Sequence, residues 1–504
     1  MAVNERAFQR ICSASICALL GLTLLSAVIL HGRLALNLDR DGENFPPEGV
    51  TLYGLRCAQT GQAVYRDYHT PPHVLSGYMP LFYFVPGYLS RWLHVDRLGT
   101  FMVGRCYVYA CWLTMGLLIY KLSRRAGCAR LYATLAALLW LGGLISPQWA
   151  NSFRPDAMAL FFSLAAVCLY LRSASSRHLA GSAALLVLAL LHKQTAIAPL
   201  FIIVIEECRQ RRWGRAGAVA AGCGAALAVI VAMAQWLTGG AFVLNVSSFV
   251  RPFTVWPAPL DLLIVSLTLN AAVFLASIGV CVTAARPGSV SSLKHYFIVA
   301  LALAFLRTTN YGASQNHYLE PFAIGCVLTA VLLQRWQDTA AELWGRLVRL
   351  GWLGVALAAS VYTLSIRATQ IPALIAESIH HRAVRDREAR EWDMLLAHMA
   401  TLGEPLLTED NYLDLRRGRT PFMLEASIFA DLQLHGRFDD DELRRRISAG
   451  EFAAIITKHP FEATLTERYF PNQWIELMRH RYRLTDRIPL KSLDTTYYIY
   501  QPIE

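Results

Sequence analysis

Between residues 11 and 366 the sequence keeps returning to long apolar runs, and no other feature restricts the fold so much. A chain of 504 residues that is 55% hydrophobic and only 16% charged has too little polar surface to fold around that many runs in water. It reads as a polytopic membrane protein. The first run, residues 11–31, follows a basic start and is longer than the apolar region of a cleaved signal peptide, so it is expected to stay as a span. Further runs lie near 100–120, 130–146, 157–171, 179–191, 196–206, 217–237, 260–283, 296–307, 318–334 and 347–366, which makes about eleven transmembrane helices.

The net charge of +11 does not signal nucleic acid, because the Lys and Arg are gathered in short clusters between apolar runs. Arg6/Arg10, Lys121/Arg124/Arg125/Arg130, Arg172/Arg177, Arg209/Arg211/Arg212/Arg215, Arg286/Lys294 and Arg335/Arg346/Arg349 fall at every second connection. This is the distribution that places a cytoplasmic face, and it puts the N-terminus there. The alternate connections, "SPQWANSFRPD", "HKQT", "TGGAFVLNVSSFVRPFTVWPAP" and "RTTNYGASQNHYLEP", are polar or aromatic and converge on the outer face. Runs 179–191 and 196–206 are each too short for a core about 30 Å thick. Either they form a hairpin whose "HKQT" tip sinks below the outer surface, or they are one long tilted helix, which reverses everything downstream. In the hairpin, Lys193 is a partly sunk cation that needs a counter-charge, and such a residue is a functional candidate.

The texture changes after the last run. Residues 1–368 form the membrane domain, with an external loop over 32–99, and residues 369–504 form a second, soluble domain. The latter opens with a long amphipathic helix, "IPALIAESIHHRAVRDREAREWDMLLAHMA", then alternates strand-like "EPLLTED", "EFAAIITK" and "TTYYIYQP" with the helical "FDDDELRRRISAG". That alternation indicates a small α/β domain, extracytoplasmic by span parity. Arg444 to Arg446 are a solvated helix face. Of the eleven cysteines only Cys57 falls in a segment placed outside the membrane on the non-cytoplasmic side, so neither a disulfide framework nor a Cys metal cluster is expected.

The loop after the first span, "NFPPEGVTLYGLRCAQTGQAVYRDYHTPP", carries Glu48 at the start of a helix lying along the interface. A helix N-terminus favours a carboxylate and keeps it deprotonated, as a general base must be, and an acidic residue in a first turn is equally an ordinary cap. Asp67, before the proline pair, divides in the same way between a turn and a site.

The order first span, "PPEGVTLYGLRCAQTGQAVYRDYHTPPHVLSGYMPLFYF", "LIYKLSRRAG", "NSFRPDAMALFFSLAAVCLYL" and "LALLHKQTAIAP" resembles the GT-C membrane glycosyltransferases, which include protein O-mannosyltransferases and the aminoarabinose transferases of lipid A, over residues 1 to about 335. The resemblance implies a GT-C-like fold and transfer of a hexose or pentose from a polyprenyl-phosphate-linked sugar to a glycan, lipid or protein acceptor. The setting it implies is the outer face of a bacterial inner membrane, with membrane lipids as neighbours. It matches Glu48 to the family's acidic residue of the first external loop, though here in "PPEG" without a preceding Asp, and Asp156 of "RPD" to that of the second. Lys193 matches a cation beside the donor phosphate, with Arg154 and Arg307 as further candidates, and His317, Glu320 and Asp67 are candidates for holding substrate. A divalent cation, Mg or Mn, is compatible with the resemblance; no other cofactor follows from it. In such a transfer a carboxylate, Glu48 by this reading, deprotonates the incoming hydroxyl, while cations take up the charge of the departing phosphate. The rivals are a transporter or flippase of a lipid-linked sugar and a polytopic scaffold. The internal duplication of many transporters is missing from the sequence, and a scaffold leaves the polar first loop unexplained.

Overall fold

The computed structural model describes residues 5–44, 49–143 with Glu48, 149–173, 175–248, 258–283, 288–309, 314–339, 343–463 and 470–503. Among the described residues each of the eleven expected runs is crossed by a helix over most of its length. The helices are α1 (Glu5–Leu36), α2 (Glu48–Thr60), α3 (Pro80–Trp92), α4 (Arg97–Arg125), α5 (Arg130–Gly142), α6 (Pro155–Tyr170), α7 (Ser176–His192), α8 (Ala198–Arg209) and α9 (Trp213–Leu237). The short α10 (Ala241–Ser248) is followed by α11 (Ala258–Leu269), α12 (Ala271–Val282), α13 (Ser289–Thr308), α14 (Leu319–Asp338) and α15 (Leu343–Ala368). Among the described residues six helices are long and apolar enough to cross a membrane, namely α1, α4, α9, α13, α14 and α15, and α11 with α12 makes a seventh if that pair, bent by 97°, is one span. The count of eleven is thus reached only with helices of 12 to 17 residues, α5 to α8. At 1.5 Å per residue such helices fall short of the hydrocarbon core. Arg286 and parts of the external connections fall outside the described residues.

The order of α6, α7 and α8 decides between the two readings of "HKQT". Lys193, just past the end of α7, meets Asp156 in the first turn of α6, and Ser182 in α7 donates to the carbonyl of Ala166. Tyr170, the last residue of α6, donates its hydroxyl to Glu207 near the end of α8 at 3.0 Å. Helices α6 and α8 therefore run in the same direction, α7 runs against both, and the chain turns back at 193–197. Glu206 and Glu207, at the far end, are held by Arg209 at 2.9 Å and Arg215 at 3.0 Å.

Beyond α15 the long helix α16 (Ile371–Ala400) leads to a four-stranded sheet of order β1-β2-β4-β3, made by β1 (Leu406–Thr408), β2 (Ala454–Thr457), β3 (Tyr482–Leu490) and β4 (Thr495–Pro502). The β1–β2 pair is parallel and the others antiparallel. Helices α17 (Asn411–Arg417), α18 (Ala426–Leu434), α19 (Asp441–Ala449) and α20 (Asn472–Arg481) complete this part. Its three expected strands are present. The sequence reading did not include β3, because its "YRLTDRIPL" alternates charged outward residues with partly covered ones and offers no apolar run. This part is seated on the segment between α1 and α4: Tyr412 donates to Asp41 at 2.7 Å, the backbone of His73 exchanges hydrogen bonds with Phe422 and Leu424, and Trp392 of α16 donates to the carbonyl of Asp41.

Candidate active site

Glu48 is the first residue of α2 and has no solvent exposure. One carboxylate oxygen accepts from Nε of Arg105 at 2.9 Å and from the backbone N–H of Phe153 at 2.6 Å, and the other from Nη2 of Arg105 and the N–H of Asn44, both at 2.8 Å. Arg105, buried in α4, also donates to the carbonyls of Arg40 at 2.6 Å and Gly42 at 2.5 Å. One ion pair thereby ties the loop before α2, helix α4 and the segment before α6. Thr51 adds a bond to the carbonyl of Phe153 at 2.7 Å. Glu48, the expected base, is thus met by four donors, two of them on Arg105. Arg105 went unnoticed in the sequence; its only signal there is a basic residue in the middle of an apolar run.

Asp156 sits in the first turn of α6, behind Pro155. Its carboxylate accepts from Lys193 Nζ at 2.5 Å and from Asn316 Nδ2 at 2.7 Å. Lys193 thus has its counter-charge, and the two residues singled out separately in the sequence are partners. A small cavity of about 40 Å³ is lined by Asp156, Lys193, Arg307, Asn316, His317 and Glu320. Arg307, at the end of α13, approaches Glu320 at 4.0 Å, and Glu320 accepts from Tyr296 at 2.8 Å. Five expected site residues, from three separate connections, therefore converge on one spot at one end of the bundle. Arg154 flanks them as the residue capping α6, with its guanidinium 5.6 Å from the Trp149 ring centre. Asp67 is not among them. It is exposed and accepts the N–H of His69 at 3.0 Å, which is the turn role.

Glu48 and Asp156 are each paired with a cation of the chain. Among the described residues the carboxylates close enough to share an ion are Asp439, Asp440 and Asp441, at the start of α19. They lie away from the site, and Asp440 is occupied by the indole N–H of Trp474 at 2.6 Å.

A membrane bundle whose acidic and basic residues meet at one end, with a small C-terminal sheet beside it, has a GT-C-like fold. Solved structures match it over most of its length. ArnT from Cupriavidus metallidurans bound to undecaprenyl phosphate superposes with a TM-score of 0.59 at 14% identity over 94% of this chain and 97% of that one. The Archaeoglobus fulgidus oligosaccharyltransferase tethered to an acceptor peptide superposes with a TM-score of 0.50 at 12% identity over 96% of this chain and 74% of that one. At such identities the likeness is one of fold. No protein-family model and no curated protein matches the sequence.

Proposed function

We propose that the chain moves a sugar from a polyprenyl-phosphate donor to an acceptor at the outer face of the membrane. The observation that carries this reading is the convergence of Lys193, Arg307, His317 and Asp156 on one cavity at the end of the bundle, in a fold shared end to end with a protein crystallised with undecaprenyl phosphate. A phosphate needs cations in a low-dielectric place, and Lys193 and Arg307 offer them, with Arg154 beside the same helix start. The cavity of about 40 Å³ holds no sugar phosphate as it stands, so donor binding must draw Lys193 from Asp156 onto the phosphate and free the carboxylate.

Asp156 is then the catalytic carboxylate. The acceptor hydroxyl attacks the anomeric carbon, its proton passes to Asp156, the C–O bond to phosphate breaks, and the charge left on the polyprenyl phosphate is taken up by Lys193 and Arg307. Glu48 is a positioning residue. Through the N–H of Phe153 it fixes the turn that delivers Arg154 and Asp156. His317 and Glu320 remain as substrate-holding side chains of the same cavity. The acceptor class is a glycan, lipid or protein, and the face is the periplasmic or extracellular one.

The test is transfer itself. The purified protein in lipid nanodiscs is given a polyprenyl-phosphate sugar made from membranes of the source cells, and sugar incorporation into envelope material is followed by mass spectrometry. Asp156→Asn is expected to bind undecaprenyl phosphate and to lose transfer by at least about a hundredfold, the low end for a general base. Movement of the intact lipid-linked sugar across the bilayer with no bond broken would instead establish a flippase.

A further inference from the structure

The donor cavity leaves a second, larger one unexplained. Where the first external loop meets the sheet, a cavity of about 450 Å³ is lined by Glu43, Glu409, Asp410, Glu425, Lys458 and Thr496, among others. Lys458 Nζ lies 2.9 Å from Asp410 and 4.0 Å from Glu43. Asp410 also accepts from Tyr497 at 2.5 Å, and Glu425 accepts from Asn411 at 2.8 Å and Ser427 at 2.6 Å. Glu409 is different. It is 5% exposed, one of its oxygens accepts the N–H of Lys458 at 2.9 Å, and the other, Oε1, has no hydrogen-bond partner among the described residues. Leaving a buried carboxylate oxygen unmet costs about 1 to 3 kcal/mol, a cost that a purely structural role does not require and a ligand repays.

We infer that this cavity receives the saccharide part of the acceptor, an inference that rests on the glycosyltransferase reading above. Three observations select a polyhydroxylated ligand. The lining mixes carboxylates with an ammonium and with the hydroxyls of Thr495 and Thr496, and a sugar hydroxyl, which both donates and accepts, satisfies all of them. The ammonium of Lys458 stands among the acids where a cation would have to sit, and the carboxylates here do not form one of the close triads found among the described residues. Burial pushes Glu43 and Glu409 up to about 7, so near neutrality each exists both as donor and as acceptor. The position is equally specific. Glu43 accepts the N–H of Gly49 at 2.5 Å, next to Glu48, and Arg154, which leads into Asp156, acts electrostatically on Glu425. The cavity thus borders the same junction that positions the donor site, on the side of the C-terminal domain.

The experiment uses the full chain in nanodiscs and four probes: oligosaccharides released by mild acid from the envelope of the source cells, tryptic peptides of the same envelope, MgCl2 with MnCl2, and undecaprenyl phosphate. Binding is read by native mass spectrometry and by the shift in Tm. The expected result is retention of an oligosaccharide by the native sequence, weakened about tenfold or more in Glu409→Gln, as for one lost hydrogen bond to a charged group. Thr496→Phe, which narrows the cavity and leaves every carboxylate in place, is expected to do the same while binding undecaprenyl phosphate within about twofold of the native chain, a difference well under 1 kcal/mol. Peptide or metal binding that these two variants abolish, or no oligosaccharide bound while undecaprenyl phosphate still binds, overturns the cavity assignment alone. Failure of the native chain to bind undecaprenyl phosphate overturns the donor reading beneath it.

Discussion

Removing the charge of Glu48 leaves Arg105 buried in α4 with two carbonyls and no counter-ion, and breaking such a pair costs about 3 to 5 kcal/mol. Glu48→Gln is therefore expected to lower the Tm of the purified protein and to slow transfer, with the acid limb of the pH–rate profile unmoved. A base lost at Glu48 would abolish that limb and leave the Tm within the reach of a lost cap, about 1 kcal/mol. Lys193 separates differently. Lys193→Ala is expected to weaken undecaprenyl phosphate binding about tenfold or more, and Lys193→Arg to restore most of it, since charge matters more than shape at a single phosphate oxygen. Equal binding by all three proteins would remove Lys193 from the donor site. At this scale the sequence showed Glu48, Asp156 and Lys193 as isolated oddities. That Asp156 answers Lys193 and Arg105 answers Glu48 was not legible, because ion pairs between helices 37 and 57 residues apart depend on packing that periodicity does not encode.

Helices are what the apolar runs encode best, and among the described residues a helix passes through each of the eleven runs. Their lengths and turns follow from smaller signals. The reversal between α7 and α8 was already hinted at by Arg-rich flanks on both sides of a short apolar pair. Strand β3 was hidden because an outer strand faces solvent on alternate residues. Close packing between elements is hidden for another reason, since glycine spacing alone does not say what approaches. In α2, a Cβ on Gly54 would stand 2.5 and 2.7 Å from ring carbons of Tyr83, which is fully buried in α3 and has no room to swing away. Gly54→Ala is thus expected to destabilise the α2–α3 pair by about 1 to 3 kcal/mol, the usual range for overpacking. Gly21→Ala in α1, where nothing lies within 4 Å, is the control and is expected to leave the Tm unchanged. Thermal unfolding in nanodiscs measures both.

At the scale of the molecule, the membrane bundle and the C-terminal sheet meet through an acidic junction, and its pH response follows from the groups that face it. Glu43 faces Lys458, Asp410, Glu48 and the N–H of Gly49, and Glu409 faces Lys458, Asp410 and Glu425. Burial raises both acids from 4.5 to about 7. Between those values the folded state holds protons that the unfolded chain has given up, so this contribution is complete below pH 4.5 and disappears as pH rises through 7, by roughly 3 kcal/mol per group. Lys458 is shifted the opposite way in effect. Its neighbouring carboxylates raise its pKa above the ordinary lysine value, so it stays charged across the whole window and adds no slope there. The junction is therefore expected to loosen between pH 5 and pH 8. Hydrogen exchange at Gly49, Lys458 and the β2 amides should quicken over that range, while amides in α14, deep in the bundle, keep their protection. Glu409→Gln, which cannot ionise, should flatten about half of the response and leave the rest to Glu43. Exchange at these amides that is independent of pH after correction for the intrinsic rate would mean that the two acids are ionised at pH 5 and that Lys458 alone sets the charge of the junction.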